Sequence, residues 1–174
     1  MQIIRYLVPA DAADFKALRL LAMQESPTAF GSSLIEEINR TLTSIETMFA
    51  SQQSFALGVY HENQLIGVAR CERSSRLKTQ HKADIYGVYI RPEFRGYGLG
   101  KHLLEALLKE AKTLPGLETL LLMVSEHNVA ARSLYQRLGF LEYGTEPDAL
   151  RVDGQSIAEV LMRLELNYPN SSLG

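Results

Sequence analysis

One cysteine, Cys71, is all the thiol chemistry that this chain of 174 residues carries. A lone cysteine excludes an internal disulfide and a cysteine-rich metal site, and it fits a reducing compartment. The four histidines, His61, His81, His102 and His127, stand without metal-ligand spacing and no HExxH occurs, so no metal is expected. An excess of one charge is missing too. The chain has 18 Lys+Arg against 20 Asp+Glu, a net −2, which argues against nucleic acid as the main partner. No stretch approaches ~20 consecutive apolar residues, so no membrane span is expected. The opening Met1-Gln2-Ile3-Ile4-Arg5-Tyr6-Leu7 lacks the long apolar core of a signal peptide, which leaves the cytoplasm as the expected location. No G-x-S-x-G and no serine triad is suggested.

What is present is the composition of an ordinary globular domain, 46% hydrophobic and 22% charged. There is no repeat, no low-complexity run and no dividing linker. A single domain is expected over residues 1–166, with a loose tail at 167–174. Residues 2–8 read as a strand, 9–24 as a helix opened by Pro9, and 33–50 as a second, more polar helix. There Glu36, Glu37 and Glu46 are read as a solvated face rather than an acceptor-binding one. Phe55, Leu57 and Val59 alternate, and with 65–70 they form a hairpin. Residues 84–90 are a strand, 98–112 a leucine-faced helix, and 119–124 an almost wholly apolar strand of the kind buried on both faces. Asn128 is placed as the N-cap of a helix ending near Gly139. Strands near 140–146 and 157–166 complete the order. The unit 84–124 needs a crossover, which makes its two strands parallel neighbours.

The informative segment is Val88-Tyr89-Ile90-Arg91-Pro92-Glu93-Phe94-Arg95-Gly96-Tyr97-Gly98-Leu99-Gly100-Lys101. A strand runs into a loop with three glycines, and a helix begins there. Helix N-termini present unpaired N–H groups and a partial positive charge. Glycines let that backbone approach a phosphate closely. The spacing G-x-G-x-G is neither the Rossmann G-x-G-x-x-G nor a P-loop, since position 95 is Arg and 102 is His.

Arg95-x-x-Gly98-x-Gly100 resembles the R/Q-x-x-G-x-G/A signature of the GNAT superfamily of acetyl-CoA-dependent N-acetyltransferases. Asn128-x-x-Ala131-x-x-Leu134-Tyr135-x-x-Leu138-Gly139-Phe140 resembles its second block, one strand further on. The resemblance implies an α/β (α+β) fold: a mixed central sheet of about seven strands, about four flanking helices and a parallel strand pair that splays at the cofactor site. It implies that the pantetheine arm of acetyl-CoA lies along Val88, Tyr89 and Ile90 like an added strand, with an N–H near Ile90 polarising the thioester carbonyl. Arg95 would begin the loop, and the amides of Gly96, Tyr97, Gly98, Leu99, Gly100 and Lys101 would hold the pyrophosphate. Lys101 adds charge there or is simply solvated.

Attack by an amine needs a proton removed before the bond forms and a thiolate to leave. By resemblance Tyr135 is the acid, the alternative being a core tyrosine. Asp84 is the base or a strand-start aspartate, with Glu37 and His127 as weaker candidates. Asn128 can cap its helix and bind pantetheine at once. The acceptor amine, a small molecule or a protein N-terminus, is not named by these residues. A non-catalytic acyl-CoA-binding sensor is the alternative function, and pairing into a homodimer is an expectation by analogy alone.

Overall fold

The computed structural model describes residues 1–166; the expected tail 167–174 lies outside the described residues. Strand β1 (Gln2–Tyr6) leads through a short 3-10 turn into α1 (Ala12–Glu25). Asp11 secures this entry. Its carboxylate accepts from the Val8 amide, from both terminal nitrogens of Arg5 and from the Tyr60 hydroxyl. The guanidinium beside it holds the Asp11 carboxyl down at about 2.

The single helix expected over 33–50 is two, α2 (Leu34–Asn39) and α3 (Leu42–Ala50). Arg40 and Thr41 are extended between them, and the Thr41 hydroxyl caps α3 by accepting from the Ser44 amide at 3.1 Å. A side chain that competes for the backbone in this way ends one helix and starts another. The expected solvated face holds at Glu36 and Glu46, which are exposed, and is corrected at Glu37. Glu37 is only 2% exposed and lies between Arg19 and Arg40, so its charge is met by guanidiniums rather than by water.

Strands β2 (Ser54–His61), β3 (Gln64–Arg73), β4 (Lys82–Ile90), β5 (Thr119–Ser125), β6 (Leu141–Val152) and β7 (Gln155–Glu165) join β1 in one seven-stranded sheet. Helix α4 (Leu99–Thr113) links β4 to β5, and α5 (Val129–Arg137) follows β5. The order is β1-β2-β3-β4-β5-β7-β6. Among the described strands only β4 and β5 are parallel, as the crossover requires. Five helices of the described residues flank the sheet where about four were expected. Leu103, Leu104, Leu107 and Ala111 of α4 are fully buried against one face. Phe15, Leu18 and Ala22 of α1 and Ile45 of α3 bury the other. Cys71 sits in the first of these cores, where burial pushes its thiol up to about 12. No helix among the described residues is long and apolar enough to cross a membrane.

The feature that makes a site is an irregularity in β4. Arg70 of β3 faces Tyr86 and Val68 faces Tyr89, so Gly87 and Val88 together oppose Ala69. This is a bulge, and Gly87 holds it with a φ of 61°. The β4–β5 ladder stops short of it, at Asp84↔Leu121. Strand β5 meanwhile continues on β7 as far as Ser125↔Glu159. The end of β4 thus leaves β5 and opens a wedge in the sheet.

Candidate active site

Two cavities flank the wedge, and Ala29, in the 3-10 turn Pro27–Ala29 that follows α1, lines both. The first, about 770 Å³, is walled by the end of β4, the glycine loop and α5. Val88, Tyr89, Ile90, Arg95, Gly96, Gly98, Leu99, Gly100, Lys101 and Asn128 all border it. Of the sequence-derived cofactor residues only Tyr97 stays outside its lining, exposed on the loop.

The loop is shaped for a ligand that approaches backbone. Gly96 and Gly98 have φ of 85° and 77°, a region closed to most side chains. A Cβ on Gly96 would meet nothing within 4 Å, and one on Gly98 only His102 Cε1 at 3.9 Å. No side chain caps α4 at Gly98, so the first amides of a fifteen-residue helix face open space. These features fit the pyrophosphate of a coenzyme A thioester.

Arg95 does something the sequence did not indicate. Its Nε donates to the Ile90 carbonyl at 2.8 Å, and its two terminal nitrogens grip Glu25 at 2.8 and 2.7 Å. The side chain ties the loop to the end of α1 rather than reaching toward a phosphate. Lys101 pairs with Glu105 at 3.6 Å and is exposed, which matches its solvated reading. Asn128 caps α5 by accepting from the Ala131 amide at 3.2 Å. That bond uses its oxygen and leaves the amide hydrogens free for a second task.

Tyr135 is 7% exposed, stacks edge-on against Phe140 at 5.9 Å and borders neither cavity. One residue further round the helix than Leu134, about 100° away, it turns from the cleft wall toward the core. Burial alone pushes its phenol well above the ordinary range. Ser125, which the sequence does not single out, borders the cleft at the end of β5, and its buried Oγ has no hydrogen-bond partner. Its one signal is a small polar residue closing an apolar strand.

The second cavity, about 530 Å³, lies on the α1 side of the wedge. Asp84 borders it, half-buried. Burial, and next the charge of Glu72, raise its carboxyl above the usual carboxylate range. Arg19, Arg40 and Arg70 line the same space, as do Glu146 and Glu159. His127 borders the first cavity instead, well exposed, and Glu37 lines neither.

Known proteins share this fold. The model of the acetyltransferase (GNAT) family matches residues 17–140. The [ribosomal protein bS18]-alanine N-acetyltransferase of Haemophilus influenzae is 31% identical over 134 residues, 76% of this chain and 78% of that one. A mycothiol acetyltransferase from Paenarthrobacter aurescens is 36% identical over 54% of this chain, yet the match spans only 29% of that longer protein. Among solved structures, an acetyltransferase of the GNAT family from Streptococcus pneumoniae superposes with a TM-score of 0.83 at 26% identity, covering 96% of this chain and 100% of its own. The fold of yncA from Salmonella typhimurium, solved with its cofactor acetyl-CoA, matches with a TM-score of 0.84 at 20% identity, covering 98% and 97% of the two chains. A family model that spans both motif blocks, over a sheet that opens where the glycine loop begins, places this chain in the acetyltransferase (GNAT) family.

Proposed function

We propose that this protein transfers the acetyl group of acetyl-CoA directly to a primary amine. The observation that carries the reading is the wedge itself, with a cavity on each side of one opening and Ala29 on the wall of both. A donor entering from the loop side and an acceptor from the α1 side would meet without a covalent enzyme intermediate. Acetyl-CoA supplies a thioester carbonyl open to attack. The amides from Gly96 to Lys101 hold its phosphates, and the backbone of Val88 and Ile90 receives its amide-bearing arm. An N–H near Ile90 stabilises the charge that grows on the carbonyl oxygen. Asp84 takes the amine's proton through water. A yncA structure with acetyl-CoA and a relative that acetylates a protein alanine support the choice of donor and of an amine acceptor. A sensor would need the first cavity alone; a raised carboxyl in the second supports turnover.

The structure argues for a modest part for Tyr135. Tyr135 borders neither cavity, and burial raises its phenol above the ordinary range, both of which disfavour donating the proton to the thiolate. A hydrogen bond is the most that it offers. Tyr135→Phe keeps the ring contact with Phe140 and removes no hydrogen bond among the described residues, so it is expected to leave stability within about 0.5 kcal/mol of wild type. It should lower kcat by no more than about tenfold. A fall of about 10²–10⁴, the usual worth of a general acid, would restore the acid role.

The function is tested by following free thiol released from acetyl-CoA with polyamines, amino acids, aminoglycosides and short peptides, and by weighing the product. Amine-dependent thiol release with one acetyl added to the amine is expected. Tight acetyl-CoA binding with no transfer to any amine would favour the sensor.

A further inference from the structure

The second cavity is charged in two halves: the arginine half is only partly neutralised by the protein, and the acidic half has no cation within salt-bridge distance among the described residues. At one end stand Arg19, Arg40 and Arg70, from α1, the α2–α3 link and β3. Glu37 approaches Arg19 and Arg40 at 3.6 Å each, beyond hydrogen-bond reach. Its Oε1 and the Arg19 Nε are buried without hydrogen-bond partners. Arg40 and Arg70 both spend a guanidinium donor on the thioether of Met48, at 3.2 and 2.8 Å. A thioether is a weak acceptor, so charged donors directed at one are short of better partners. Arg70 also reaches Glu72 at 3.2 Å. Three guanidiniums therefore face two carboxylates.

The guanidiniums are held in place by rings. Arg19 lies over Phe30 at 5.1 Å, Arg40 over Phe15 at 5.9 Å and Arg70 over Tyr86 at 5.0 Å. Burial lowers the proton affinity of Arg19 and Arg70, the mark of cations removed from water without full compensation. At the other end are Asp84, Glu146 and Glu159. Glu146 and Glu159 are paired directly across β6 and β7, a like-charge contact that a sheet alone disfavours. None of the three has a cationic partner within 4 Å among the described residues. Arg19 also fixes where the two halves meet. Its Nη1 would stand 2.9 Å from a Cβ on Gly87, so the guanidinium covers the bulge at which β4 leaves β5.

We propose that the acceptor is a small amino acid or amino-acid analogue, its carboxylate seated on Arg19, Arg40 and Arg70 and its amino group turned to Asp84, Glu146 and Glu159. A cavity of about 530 Å³ has room for such a molecule, and the charges at its two ends, rather than its volume, select it. A polyamine would leave the arginine end facing a cation. A peptide N-terminus carries no anion at a fixed short distance from its amine. This assignment rests on the acetyltransferase reading, but it concerns binding and can stand or fall separately.

The test uses the full chain with saturating acetyl-CoA. The twenty standard L-amino acids are compared with their carboxamides, with spermidine and with a C-terminally amidated tripeptide. Thiol release should be fastest with a free amino acid, and its carboxamide should lose about 100-fold in kcat/KM, the worth of a desolvated charge pair. Arg70→Gln and Arg40→Gln, each checked for folding by circular dichroism, should shrink that ratio toward one. Calorimetry of the best amino acid, without acetyl-CoA, reads binding alone. Arginine-dependent binding with no turnover would keep the acceptor class and sink the catalytic reading. Equal or faster turnover of spermidine, carboxamides or the tripeptide would overturn the acceptor class and keep the catalysis. Neither binding nor turnover of any amino acid would overturn it as well.

Discussion

Replacing Gly98 by valine should leave the domain folded and weaken acetyl-CoA binding by at least about 100-fold, or about 2.8 kcal/mol. The fold tolerates the change in space, because the nearest atom to a new Cβ is His102 Cε1 at 3.9 Å. It resists the change in conformation, because φ is 77° and a left-handed residue with a side chain costs about 1–2 kcal/mol. The melting temperature should therefore fall by several degrees, with the circular dichroism spectrum kept. The drop in affinity has a different source. The valine methyls would stand where the α4 amides meet the phosphates, and each charge-assisted hydrogen bond that they displace is worth about 1.5–3 kcal/mol. Calorimetry with acetyl-CoA reads the affinity and thermal melting reads the strain. Unchanged affinity would place the phosphates elsewhere.

Asp84→Asn should lower kcat/KM by about 10²–10⁴-fold near neutral pH, the range of a positioned base. Burial and Glu72 raise the Asp84 carboxyl, so its acid form persists to a higher pH than an ordinary carboxylate's. Wild-type kcat/KM should fall as pH drops through that raised value, because protonated Asp84 accepts nothing. In the variant this limb disappears. The rate then follows the neutral fraction of the amine and climbs toward an amine value near ~10. At high pH the two enzymes should converge. The KM for acetyl-CoA should not move, since Asp84 borders the other cavity. A pH profile identical to wild type would reduce Asp84 to a strand-start residue.

The glycine loop is legible in the sequence because its letters serve one purpose. Gly96, Gly98 and Gly100 mark backbone that must be approached, and all three border the cleft. The helix at 98–112 and the strand at 119–124 are legible for another reason, since periodicity reports burial directly. What the letters hide depends on partners distant in sequence. Nothing near Arg95 announces Glu25, and nothing near Glu37 announces Arg19. Glu37 on its short helix looks as solvated as Glu36 until guanidiniums from α1 and the α2–α3 link fold over it. A motif suggests a role for Tyr135, whereas its direction is set by Phe140 and the core. Two further signals are present in the letters. Asp153-Gly154, with φ of 50° and 75°, forms the tight hairpin turn that extends β6 to Val152. The glycine inside Asp84-Ile85-Tyr86-Gly87-Val88-Tyr89-Ile90 is a bulge signal within an apparent strand.

That glycine has a consequence in the arithmetic of the pleat. Before it, Asp84 and Tyr86 face the α1 side; after it, Tyr89 does, while Ile90 packs under α4. The even and odd positions exchange faces across Gly87. A chain lacking only this residue would alternate without interruption, keep each of these side chains on its present face, and pair Val88 with Ala69 in one unbroken ladder. Every strand rule would then be satisfied, and the edge that parts from β5 would be free to run on beside it. The residue that the sheet could most easily lose is the one that keeps it open.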